Sequence, residues 1–152
     1  MARARKTARE KMEARQQAEV VDDRRGRGKL LIPRPLDVDA LVRRVPQGKL
    51  VVVEQIRERL AGDHNADLTC PLCTGIFLRL SAEAAEEDRS RGEKEIAPYW
   101  RVVKAGGSLN ERLPGGVEAQ AARLLEEGHS IEPGKGKKPP RVKDFERCLH
   151  TL

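Results

Sequence analysis

The sequence predicts one mostly helical α+β domain with a small strand pair, flanked by basic tails. Three observations carry this expectation. Apolar residues recur at helical spacing in several stretches, a short β-branched and aromatic run, "YWRVV" (99–103), separates the last of them from the rest, and both ends of the chain are rich in Lys and Arg. A chain of 152 residues, 38% hydrophobic and 36% charged, supports a single domain with a modest core. With two Phe, one Tyr and one Trp, that core falls to Leu, Val, Ile and Ala.

Residues 1–29 read as a basic arm. Arg3, Arg5, Lys6, Arg9, Lys11, Arg15 and Arg24 are interspersed with Asp and Glu and almost no large apolar residue, so the arm is expected to be solvated and partly helical, or to track phosphates. The domain itself is assigned to 30–132. After "LLIPRPL", Asp37 is a candidate N-cap for a helix carrying Val38, Leu41, Val42 and Val45, which Pro46 and Gly48 end. Val53, Ile56 and Leu60 then mark a second helix, with Gly62 as its stop. Thr69 is the expected cap of a third, with Leu72, Ile76, Leu80 and Ala84 on its buried face and a solvated far end near Gly92. "YWRVV" follows as a strand, and Val117, Ala121, Leu124 and Leu125 stripe a last helix that stops at Gly128. Residues 133–152 form a basic tail containing Lys135, Lys137 and Lys138.

A formal charge of +6 and a pI near 9.5 favour polyanionic partners. No apolar run reaches the roughly 20 residues that span a bilayer, and the N-terminus lacks the apolar stretch of a secretory signal, so no membrane partner and a cytoplasmic location are expected. Three cysteines, an odd number, fit a reducing compartment. Cys70 and Cys73 form a CxxC at a helix start, a pattern shared by redox centres and half zinc sites, but no second ligand pair has the right spacing. Free thiols, no metal and no cofactor are the expectation.

Two short helices and a third reached through a capped loop form the pattern of a helix-turn-helix-like DNA reader. More specific is the ordered set "VPQGKLVVVEQIRERLAG" (45–62), "APYWRVVKAGGSLN" (97–110) and "PGGVEAQAARLLEEGHSI" (114–131). Together they resemble the C-terminal DNA-binding domain of the O6-alkylguanine-DNA alkyltransferase (methylated-DNA-protein-cysteine methyltransferase) family, over roughly residues 36 to 132. The resemblance implies a winged-helix-like, helix-turn-helix fold of the alkyltransferase type.

It also gives "PYWRVV" a meaning, because the family carries Pro-Cys-His-Arg-Val there. Tyr99 stands at the nucleophile's position and Trp100 at the histidine's. Alkyl transfer needs a thiolate and a base, whereas a phenol with a pKa near 10 and a donor-only indole supply neither. The resemblance therefore implies a non-catalytic, alkyltransferase-like member that binds DNA, including alkylated DNA, and passes it to a downstream repair protein.

By the same resemblance Pro98, Tyr99, Trp100, Arg101, Gly115, Gly116 and Glu127 belong to the former alkyl pocket, with Arg101 as structural support and Glu127 at the family's glutamate. Val53 stands at the position of the family's base-flipping tyrosine, and Thr74 or Gly75 at that of its inserted arginine. Thr69, Thr74 and Arg79 are the third-helix residues expected nearest a duplex. Tyr99 and Trp100 read equally as a stacking surface for an unpaired base and as replacement core. The alternative function is an RNA-, ribosome- or protein-binding module that reuses the fold.

Overall fold

A computed structural model describes residues 5–15 and 17–152; Arg3 of the basic arm lies outside the described residues. The rest of the arm is partly helical and exposed through Glu19–Asp22, as expected, but its helix is docked and not solvated. Helix α1, Ala8–Ala14, is capped by the Thr7 hydroxyl, which accepts from the Glu10 N–H at 3.1 Å. A helix of seven residues is marginal alone, and this one is held by the rest of the fold. The Ala8 N–H donates to both Glu87 oxygens at 3.0 Å, Arg9 pairs with Asp88 at 2.7 Å, and Met12 is fully buried beside Ala84. Composition hid this because the anchoring partners lie almost 80 residues away.

Strands β1, Glu19–Asp22, and β2, Lys29–Ile32, form an antiparallel hairpin. Helix α2, Pro35–Val42, follows; Asp37 sits at its third position, where its carboxylate accepts from the Arg34 N–H at 3.0 Å, so Arg34 and not Asp37 is the N-cap residue. Strand β3, Val51–Val52, precedes helix α3, Val53–Asp63, so the β-branched run divides between strand and helix. Strand β4, Leu68–Thr69, pairs parallel with β2 and takes Thr69 out of the capping position; the Cys70 Sγ accepts from the Cys73 N–H instead, at 3.3 Å.

Helix α4, Pro71–Ser90, packs on α1 and α2. Its buried face is Thr74, Leu78, Ser81, Ala82, Ala84 and Ala85; of the stripe expected from Leu72, Ile76, Leu80 and Ala84, Ala84 is buried and Leu80 half-buried, whereas Leu72 and Ile76 point outward. The reason lies in α2. Buried Asp39 accepts from the Ser81 hydroxyl at 2.6 Å and from Arg43 at 2.8 Å, and this fixes the small, polar side of α4 inward. The last residues of α4, Arg89 and Ser90, are exposed as expected, as is Gly92 beyond them, but one turn earlier Glu86 and Glu87 are half-buried and bind Tyr99, Arg123 and Ala8.

Residues 99–101 form a single 3-10 turn before strand β5, Val102–Val103, which pairs parallel with β3. Helix α5, Gly116–Glu126, starts on Gly115 and Gly116, both with left-handed φ (80° and 71°). A Cβ on Gly115 would stand 2.5 Å from that of Ala119. Val117, Ala121 and Leu124 pack on the core with buried Gln120, while Leu125 is exposed, contrary to expectation. The tail folds back. Strands β6, Ile131–Glu132, and β7, Arg141–Val142, pair antiparallel, Phe145 covers Gly107, and the His150 N–H donates to the Leu50 carbonyl at 2.7 Å. The main core runs from Leu31 through Val51, Ile56, Leu78 and Leu109 to Leu124.

Candidate functional site

The parallel pairing of β3 with β5 joins the start of α3 to the end of the 98–103 run. The turn at Tyr99–Arg101 then faces α4 on one side and α5 on the other. The Tyr99 hydroxyl donates to Glu86 Oε1 at 2.5 Å, and Arg89 and Arg123 bind the same carboxylate at 2.7 and 3.2 Å. The Trp100 indole N–H donates to Glu127 Oε2 at 2.8 Å, and the two rings meet edge-on with centroids 5.3 Å apart. The Arg123 guanidinium lies 4.2 Å from the Trp100 centroid, a cation–π distance.

Arg101 binds Glu127 through Nε and Nη2 at 2.9 Å each and donates from Nη1 to the Val45 carbonyl at 2.7 Å. The Gly48 N–H adds a bond to Glu127 at 3.2 Å. Burial pulls the Glu127 carboxyl up, but Arg101, Trp100 and Gly48 outweigh it and hold the pKa below the ordinary range. Glu86 is likewise held low: burial opposes, Tyr99 and the arginines prevail. Burial and the Glu86 bond push the Tyr99 phenol well above its ordinary value of 10. Glu127, at the position the resemblance gives to the family's glutamate, thus takes the Trp100 indole as one of its partners.

Tyr99 is 4% and Trp100 7% exposed, so of the two readings open at the sequence level the rings take the one of core. The structure brings Pro98, Tyr99, Trp100, Arg101 and Glu127 together as a closed network. Gly115 and Gly116 stay outside it, at the start of α5.

Of the residues expected at a nucleic-acid surface, Val53, Gly75 and Arg79 converge on an open pocket of about 850 Å³ between α3, α4 and residues 104–112. Thr69 and Thr74 do not. Both are buried, their hydroxyls donating to the Arg57 and Cys70 carbonyls at 2.8 Å. Residues that sequence reasoning missed complete the pocket: Leu72 and Ile76 on α4, Arg57 on α3, and Lys104 and Arg112 beyond β5. The available signal was the two apolar stripes of 71–90, only one of which α2 can cover. Glu54 Oε2 and Arg57 Nε are buried at the pocket without hydrogen-bond partners, although the two side chains pair at 3.4 Å.

The cysteines are free. Burial and the neighbouring Cys70 push the Cys73 thiol up to about 11, so it is protonated at neutral pH. Among the described residues no group of three His, Cys, Asp or Glu is arranged to hold a metal ion, and no helix is long and apolar enough to cross a membrane.

Fold and site define a mostly helical α+β domain with small sheets, in which a helix pair presents a cation-lined pocket. No family model and no curated protein matches the chain. Among solved structures it is similar to S. pombe Atl1, seen in complex with damaged DNA containing O6-carboxymethylguanine. The TM-score is 0.53 at 18% identity, over 78% of this chain and 94% of that one. At that identity the likeness carries the fold.

Proposed function

We propose that this protein binds double-stranded DNA through the α3–α4 face and recognises alkyl-damaged DNA without transferring the alkyl group, as an alkyltransferase-like protein. The observation that carries the reading is the pocket: Arg57, Arg79, Lys104 and Arg112 line it against Glu54, on a fold shared with a protein whose solved complex holds O6-carboxymethylguanine DNA. Cations around an open concavity neutralise phosphates and release their counterions, which makes binding electrostatic and salt-dependent. Transfer would need a thiolate at the pocket. Cys70, Cys73 and Cys148 are absent from its lining, Tyr99 keeps its proton, and the Trp100 nitrogen is occupied as a donor.

The test is a competition at fixed salt among an O6-alkylguanine duplex, the same duplex undamaged, and a structured RNA. Tighter binding of the damaged duplex is expected. Equal affinity for both duplexes would remove lesion recognition from the proposal, and preference for RNA would replace it with the alternative module. After incubation with an O6-methylguanine duplex, intact-mass measurement is expected to find no methyl group on the protein.

A further inference from the structure

We infer that Leu72 and Ile76 form an apolar wedge that enters the base stack of a bound duplex. The inference rests on the DNA-binding reading above and adds the residues that distort the DNA. Leu72 is 72% and Ile76 54% exposed, and they stand one turn apart at the start of α4, where the fold offers them no neighbour to cover them. Large apolar side chains gain nothing from water, and the helix already has a complete inner face without them.

Between them sits Gly75, for which the fold has no use. Its φ is helical, a Cβ there would meet nothing within 4 Å, and glycine inside a helix costs about 1 kcal/mol relative to alanine. A glycine kept bare on an exposed helix face permits another backbone to approach closely. The charge around the patch selects that backbone. Lys104 and Arg112 line the same pocket with Arg57 and Arg79, which pair with Glu54 and Glu83 at 3.4 and 3.1 Å, so the lining keeps an excess of positive charge, and the exposed Lys137 and Lys138 lie in the loop whose Pro139 closes it. A polyphosphate strand therefore matches the rim while apolar side chains face inward to the bases. Inserted Leu and Ile side chains unstack a base step and kink the duplex, repaid by added contact.

Duplexes carrying 2-aminopurine at the central step, whose fluorescence rises on unstacking, test the wedge together with anisotropy for affinity. The full chain is expected to raise the fluorescence several-fold at saturation. The double variant Leu72→Ser/Ile76→Ser is expected to leave it at the level of free duplex, while low-salt affinity stays within about tenfold and the salt slope is unchanged. Gly75→Gln is expected to raise the Tm yet weaken binding at least tenfold, an outcome that misfolding cannot produce. Unchanged fluorescence with the wild-type chain bound, or a full rise with the double variant, would overturn the wedge and leave DNA binding standing. Absence of duplex binding at any salt would remove the underlying reading instead. If the wild-type chain dimerises in light scattering and the double variant does not, with no fluorescence rise in either, the patch is an interface between copies and the wedge is wrong.

Discussion

The indole N–H of Trp100 and Glu127 Oε2 stand 2.8 Å apart, with the carboxylate also gripped by Arg101. This pair closes α5 onto the turn at 99–101. A donor-only ring fits a carboxylate that needs a proton shared with it, not one taken from it. Glu127 is therefore a structural anchor in this chain, and the network around it resists any proton-relay role.

Trp100→Phe keeps the ring and its place beside Arg123 but removes the donor. Its expected cost is about 2 kcal/mol, the loss of a hydrogen bond to a charged acceptor. Because Trp100 is the only tryptophan, urea unfolding is followed by circular dichroism. A cost near zero would mean that Arg101 and Gly48 satisfy Glu127 without the indole.

Stability is expected to fall at both ends of the pH scale. Glu86 and Glu127 have folded pKa values below the ordinary 4.5, so the unfolded chain binds more protons there; their contribution is full above 4.5 and lost as pH falls through the folded values. Tyr99 has the opposite sign. Its folded pKa is raised above 10, so its contribution is full below 10 and is lost on going to higher pH. As Tyr99 is the only tyrosine, phenolate absorbance reads it alone. No phenolate is expected near pH 10 until the protein unfolds, and a normal titration at 10 would show the Glu86 bond to be absent in solution.

Replacing Lys104 or Arg112 by Gln is expected to weaken duplex binding equally for all sequences and to lower the salt slope by about one each. Thr74→Val is expected to leave the affinity unchanged, because its hydroxyl is spent on the Cys70 carbonyl. Anisotropy titrations across a salt series separate the two outcomes. A Thr74→Val variant that loses DNA binding but keeps its Tm would restore the threonine to the interface.

Met12→Ala is expected to destabilise the whole domain by about 2–4 kcal/mol, as buried methionine truncations do. A solvated arm would show no change in the unfolding midpoint. The measurement therefore also reports whether α1 belongs to the cooperative unit.

Much of the fold was legible in the chain because the signals were local. Helical spacing marked α3 and α5, and Gly92 and Gly128 sit close beyond helix ends. That no cysteine stands in the 98–103 run needed only residue identities. The candidate surface was legible in part: Val53, Gly75 and Arg79 reached the pocket, whereas Thr69 and Thr74 turned inward once β4 had claimed Thr69 and α4 its own first turn.

By itself the sequence determined where α2 to α5 lie to within a few residues, that the ends are basic, and that no sulfur occupies the 98–103 run, since each depends on residue type and near-neighbour spacing. Tertiary structure alone decided three other matters. It chose which stripe of α4 faces out, it anchored α1 through Glu87 and Asp88, and it supplied Glu127 with the Trp100 indole. Each of these is an interaction between residues far apart in the chain. A helix with two possible faces, a charged arm or an unpaired carboxylate acquires its partner only when α2, α4 and the 99–101 turn are brought together, and the hydrogen bonds and burial formed there set the choice.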